Sequence, residues 1–188
     1  MSNLSLHDHL TTTLASGAIF AKVPHDDANP NLLRVLAQSP TALGAYQQLS
    51  RLLADSSLQP IERQVVYLTA AHANQCHYCT VPNPLLGATA SAADIATAIQ
   101  REQHLDDPRL QALRRFTAAM TERRGWLPEH QIDAFLDAGF THENLLDVIT
   151  GIALVTLSSY ANHVSATPID HHHAPSATER SAHRDHLC

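Results

Sequence analysis

The sequence predicts an all-α protein, and three observations carry that reading. Apolar residues recur at three- and four-residue spacing along most of the chain, the period of a helix with one buried face. Aromatic residues make up only 5% while Ala and Leu abound, a composition of strong helix formers. No stretch alternates as a half-buried strand would. At 188 residues, 44% of them hydrophobic, the chain is one domain with room for a tail. A chain of this size removes roughly 70% of its unfolded surface from water, so it needs no disulfide framework.

The elements follow in order. Residues 1–29 are polar and include the turn-prone run from Pro24 to Pro30, read as a short N-terminal helix and a loop. One or two helical turns follow over 31–38, stopped by Ser39-Pro40. Leu43, Tyr46, Leu49, Leu52 and Leu53 predict a helix over 41–54. Pro60 opens the next helix, through Val65, Val66, Leu68, Thr69 and Ala73, until Asn74-Gln75 interrupts it. Cys79 to Ala90 is read as helical, with Pro82 and Pro84 confined to its start. Ser91 to Asp94 is a capping-box variant opening a helix to Gln103. Pro108 opens another, ended by Gly125; Pro128 opens a third, ended by Gly139; Thr141 caps a long last helix to Ala166. That makes seven or eight helices, with a helical domain over 30–169 and a polar, His-rich tail expected to be disordered over 170–188.

Charge and termini exclude several classes. A net charge of −6 and a pI near 6.1 argue against a nucleic-acid binder. The segment Met1 to His9 lacks the basic start of a signal peptide. The most apolar stretch, Asn144 to Leu157, is too short and too polar at its ends to span a bilayer, so a cytoplasmic protein without a membrane partner is expected. No flavin, nicotinamide or phosphate motif is present, and no tightly bound organic cofactor is expected. The stretch Val148 to Leu157 is apolar almost all round, as in a helix buried on every side, in the domain core or at a subunit interface. Gly151 suits a close helix approach, and Trp126 is read as a packing anchor.

The three cysteines concentrate the chemistry. Cys76-His-Tyr-Cys79 in a reducing compartment reads as redox or metal chemistry. Cysteines three apart share one face of a helix and can pair, and a helix N-terminus favours the thiolate. Such a pair can attack a peroxide or a disulfide and then close on itself. Base candidates are His72, His77 and Glu62. Two other readings stand beside this one. A zinc site would have to complete its four ligands from His72, His77 or His171 to His173, and the pair can also be inert packing. Cys188 is read as a free thiol.

The run Leu58 to Cys79, the stretch Pro24 to Tyr46, and Ala138-Gly-Phe140 through Asn162-His163 to Asp170 together resemble the carboxymuconolactone decarboxylase or AhpD-like family, over roughly Pro24 to Asp170. The resemblance implies an all-helical fold assembled as trimers or hexamers, with alkylhydroperoxidase-like, antioxidant activity. It implies Cys79 as the thiolate that attacks peroxide and Cys76 as the residue that resolves it. It also implies a proton relay, from which this chain departs. The position of the family's Glu, twelve before Cys76, is Gln64; the position of its His, four after Cys79, is Asn83. A carboxamide can orient but cannot take a proton at neutral pH. Gln64, Asn83 and Tyr78 therefore stand as substrate-contacting positions, and any relay would be rebuilt from His72, His77 and Glu62. Nothing indicates the cationic pocket that a lactone acid would need. Three functions remain: a thiol-dependent peroxidase or disulfide oxidoreductase recycled by an unidentified thiol reductant, a redox sensor or binding protein that does not turn over, and a Cys/His metal-binding protein. No metal ligand set is assigned.

Overall fold

A computed structural model describes residues 31–87 and 89–170; the helix and loop expected over 1–29, and the tail beyond Asp170, lie outside them. Among the described residues there are seven α-helices and no strand: α1 Asn31–Leu36, α2 Pro40–Ala54, α3 Pro60–Ala73, α4 Ala92–Gln100, α5 Pro108–Glu122, α6 Glu129–Asp137 and α7 His142–Ser165. Two 3-10 turns, His77–Cys79 and Pro84–Leu86, lie between α3 and α4.

The helix starts are set by local chemistry. Ser39 Oγ accepts from the Ala42 amide, 3.2 Å away, with Pro40 at the first helical position. Asp107 accepts from the amides of Arg109 and Leu110 ahead of α5. Thr141 and Asn144 cap each other's amides at the start of α7. At α3 the capping box is formed by Gln59 and Glu62. α4 ends at Gln100 rather than Gln103, and Glu102 takes a left-handed conformation with φ 56°.

Buried α3 is the centre of the fold. Val65, Val66, Leu68, Ala70 and Ala71 are all closed to solvent, and the helix packs against α5, α7 and α4. α7 also runs beside α2 and α1. Stacked rings of Phe116, Phe135 and Phe140, with centroids 4.1 and 4.5 Å apart, join α5 and α6 to the loop before α7. Burying side chains of this size supplies most of the favourable free energy.

Three expectations are corrected. Among the described residues of Cys79 to Ala90 there is no α-helix, only the end of the first 3-10 turn and the whole of the second, because side chains of Arg63, Gln64 and Gln100 bind the loop backbone in place of a helical ladder. Val148 to Leu157 is not buried all round within one chain, because Ile149 is exposed, as are Leu146, Tyr160 and Val164 beyond it; this overturns the reading of a helix enclosed in the domain core and not that of a subunit interface. Trp126 is no packing anchor, being 86% exposed. α7, at 24 residues, is also long and apolar enough to cross a membrane by length and composition; its inner face is spent on α1, α2, α3 and α5.

Candidate functional site

The cysteine pair sits where α3 ends. The Gln75 amide bonds to the His72 carbonyl and the Cys76 amide to the Ala71 carbonyl, with Gln75 left-handed at φ 56°. This is a Schellman ending, in which a Gln occupies the position usually held by Gly. It turns the chain sharply, so Cys76 begins the His77–Cys79 turn and its amide is already satisfied. Cys76 and Cys79 are joined as a disulfide, with Cα atoms 5.3 Å apart. Both are buried. The cysteines thus flank a three-residue turn, and the helix N-terminus expected to stabilise a thiolate is absent here.

The stabilising groups come from α7 instead. Asn162 Nδ2 lies 3.4 Å from Cys79 Sγ and 3.8 Å from Cys76 Sγ. The hydroxyls of Ser158 and Ser159 each lie 3.9 Å from Cys79 Sγ. Cys79 therefore has three polar neighbours, and Cys76 shares one of them. Ser158 also donates to the Val155 carbonyl. Asn162 Oδ1 is buried without a partner, an exception of the kind that marks functional positions. None of these three was singled out from the sequence as a site residue. The signal was present: Ser158, Ser159 and Asn162 continue the core stripe of Val148, Gly151, Leu154 and Val155, putting polar groups where the period demands apolar ones.

Cys76 opens onto a cleft of about 460 Å³ lined by His72, Ala73, Gln75, His77, Thr80, Glu102 and Glu122 as well as Cys76 itself. Cys79 is not part of that lining. His72 Nε2 stands 3.7 Å from Glu102 Oε1. His72 and His77 thus share one cleft with Cys76, as their places in the sequence suggest.

Glu62 is elsewhere. It lies on the first turn of α3, about 16 Å along the helix axis from its last residue. One carboxylate oxygen accepts from the Gln59 amide and the other from Arg109 Nε, both at 2.8 Å. Arg109 in turn lies over the Phe140 ring, 3.8 Å from its centroid, and donates to the Ala138 carbonyl. This carboxylate is a structural link between α3, α5 and the turn before α7.

Gln64 and Asn83 do meet, but as scaffolding. Gln64 Nε2 donates to the carbonyls of Asn83 (2.7 Å) and Gly87 (2.9 Å), and its Oε1 accepts from the Asn83 amide. Asn83 Oδ1 accepts from the Leu85 amide and its Nδ2 reaches Tyr46 Oη at 3.4 Å. Arg63 Nε donates to the Leu86 carbonyl, and Gln100 Nε2 to the Thr80 carbonyl. Together these bonds hold the strand-less loop from Thr80 to Gly87 against α3.

Tyr78, between the cysteines, reaches α1 and the segment after α7. Its hydroxyl donates to Asp170 Oδ2 at 2.5 Å and accepts from the Leu32 amide. Asp170 Oδ1 accepts from the Asn31 amide. Burial above all, and then the bond to Asp170, raise the Tyr78 phenol above its ordinary range. Asp170, grouped with the tail by composition, is buried and belongs to the fold. Among the described residues no group of three or more His, Cys, Asp or Glu is placed to hold a metal ion.

The chain matches no protein-family model and no curated protein. Solved structures share its fold. An alkylhydroperoxidase AhpD core from Ralstonia eutropha JMP134, described as an uncharacterized peroxidase-related protein, superposes with a TM-score of 0.74 at 21% identity, covering 91% of this chain and 93% of that one. An uncharacterized peroxidase-related protein from Silicibacter sp. TM1040 gives 0.59 at 21% identity, covering 79% and 78%. The chain has the AhpD-like helical fold.

Proposed function

We propose that this chain is a thiol-dependent peroxidase or disulfide oxidoreductase of the AhpD-like kind, in which Cys79 attacks and Cys76 resolves. The observation that carries the reading is the cysteine pair itself, at disulfide distance, with amide and hydroxyl groups gathered on Cys79. Of these, the Asn162 amide and the Ser159 hydroxyl are the groups free to donate to a Cys79 thiolate and so favour it over the thiol, the Ser158 hydrogen being on the Val155 carbonyl. The peroxidase-related descriptions of proteins with the same fold support the same chemistry.

In the oxidising half, the Cys79 thiolate attacks one peroxide oxygen. The O–O bond breaks, an alkoxide or hydroxide leaves and takes up a proton, and Cys79 becomes a sulfenic acid. Cys76 then attacks that sulfur, water leaves, and the disulfide forms. His72 and His77, on the cleft beside Cys76, are the imidazoles available to take the Cys76 proton. Gln64 and Asn83 take no part in proton transfer, since their amides are spent on the loop. Loss of a general base typically costs about 10²–10⁴-fold in rate, so turnover is slow unless His72 or His77 replaces the family's relay. The reductant is a thiol, the compartment the reducing cytoplasm, and the working form a homo-oligomer.

The test is peroxide consumption by the pre-reduced protein, with a thiol count and intact mass taken before and after, and then peroxide consumption with dithiothreitol present to recycle the disulfide. Wild type should lose two thiols and two mass units, and the Cys79→Ser variant neither. A second reading has its own support. Because Tyr78 ties the cysteine turn to Asp170 and to α1, the disulfide could act as a sensor without turnover. Stoichiometric oxidation without catalytic peroxide loss would select that reading, and thiols that persist in excess peroxide would refute both.

A further inference from the structure

We propose that the disulfide is reduced from one side only: the incoming thiolate attacks Cys76, and Cys79 departs as the thiolate. The inference rests on the disulfide chemistry proposed above and assigns the direction of its reducing half.

Access and leaving-group stability point the same way. Displacement at a disulfide selects the sulfur that the nucleophile can reach and the thiolate that leaves more readily. Both cysteines are buried, but Cys76 lines the cleft together with His72, Ala73, Gln75, His77 and Thr80, and Cys79 does not. Cys79 is closed in on the α7 side by Ser158, Ser159 and Asn162. Hydrogen bonds to a charged acceptor are roughly twice as strong as neutral ones. The charge therefore develops on Cys79, which faces the Asn162 amide at 3.4 Å and the Ser159 hydroxyl, where Cys76 faces only that amide, at 3.8 Å.

The balance of the step is simple. A thiolate R–S⁻ forms a new S–S bond to Cys76, the Cys76–Cys79 bond breaks, and its electron pair leaves on Cys79. A second thiol then attacks the R sulfur of the mixed disulfide. That releases R–S–S–R, and Cys76 leaves as a thiolate and is protonated. Asn162 is the positioning residue for both sulfurs. Its Nδ2 faces them, and the same amide carries a buried Oδ1 without a partner. In the reduced state that oxygen is an acceptor for a cysteine S–H, a donor that the disulfide lacks.

The experiment uses the full chain with Cys188→Ser, so that two thiols remain. The oxidised protein, prepared with diamide, is pulsed with 2-mercaptoethanol, quenched in acid, alkylated with N-ethylmaleimide and mapped by peptide mass. The expected map has mercaptoethanol on Cys76 and maleimide on Cys79, by at least about tenfold. A second measurement holds if the mixed disulfide is short-lived: the reduced Cys79→Ser protein should react with the bulky disulfide 5,5′-dithiobis(2-nitrobenzoate) at least about tenfold faster than Cys76→Ser. An even or reversed map, or a Cys76→Ser protein that reacts as fast, overturns the proposal. Asn162→Ala should raise the Cys79 thiol pKa, read from thiolate absorbance in the Cys76→Ser background; an unmoved pKa removes Asn162 from the positioning role. Failure of peroxide oxidation with the Cys76 map intact would overturn the peroxidase reading and leave the direction of reduction supported.

Discussion

Single residues decide how the site can work, and Gln64 is the clearest case. Its amide donates to two carbonyls and accepts from one amide, which uses the side chain fully. Gln64→Glu therefore does not restore a relay. It sets a carboxylate oxygen against the carbonyls of Asn83 and Gly87, in a position closed to water. Each unmade buried hydrogen bond costs about 1–3 kcal/mol, so the variant should lose roughly 2–4 kcal/mol at neutral pH. The sign with pH follows from burial. A carboxyl here favours its neutral form, so its folded pKa lies above the unfolded value of about 4.3. The deficit is smallest below that value and grows as pH rises through the folded pKa. Urea melts of both proteins at about pH 3.3 and about pH 7.5 check this, the lower value lying about one unit below the unfolded pKa and the higher about three above it; a variant as stable as wild type at the higher pH would refute it. Residue identity was legible at the cysteines, whose spacing announces their chemistry. It was not legible at Asn162 or Asp170, whose partners lie 83 and 92 positions away in the chain. Glu62 was read as a base candidate, but the Gln59 amide and Arg109 guanidinium, the latter 47 positions away, take it as a link.

At the scale of elements, the sequence is read most easily where local chemistry starts a helix. Asp107-Pro108 and Thr141 with Asn144 each act within one turn, and each appears where expected, while Ser39-Pro40, read as a stop, also starts the next helix. The failure over Cys79 to Ala90 has the opposite cause: its path is set by distant side chains, from Gln64, Arg63 and Gln100. The contact of α7 with α3 is an element-level property with a sharp test. A Cβ added to Gly151 would lie 2.6 Å from Val66 Cγ1 and 3.5 Å from Leu53 Cδ2. Val66 is β-branched and stiff, so the helices must separate. Overpacking of this kind costs about 1–3 kcal/mol, against a gain of up to about 1 kcal/mol in helix propensity. Gly151→Ala should lose about 1–2 kcal/mol net. Adding Val66→Ala should recover part of that loss, and a double-mutant cycle by chemical denaturation measures the coupling. Additive losses would mean that the two helices do not meet at this point.

For the whole molecule, α7 presents two faces of different character. Its inner face carries Ser158, Ser159 and Asn162 to the cysteines. Its outer face carries Leu146, 63% exposed, with Ile149, Tyr160 and Val164. At about 100° per residue these four fall within roughly 60° of arc, one continuous apolar stripe. Large apolar side chains in a continuous exposed patch mark a contact surface more often than scattered ones do. The resemblance to a family that assembles as trimers or hexamers makes a second copy of this chain the proposed occupant. Light scattering at tens of micromolar should then give three or six times the chain mass. Leu146→Glu with Ile149→Glu places two charges in the stripe and should yield monomers with an unchanged helical spectrum. That pair stands nine or more positions from the residues on the cysteines, so the variant also tests whether assembly supports the site. If α7 is held in register by its neighbours in the oligomer, the monomer should show slower oxidation of its thiols by peroxide, with the disulfide still forming. A wild-type chain that scatters as a monomer would remove the proposed assembly and leave the stripe to some other partner.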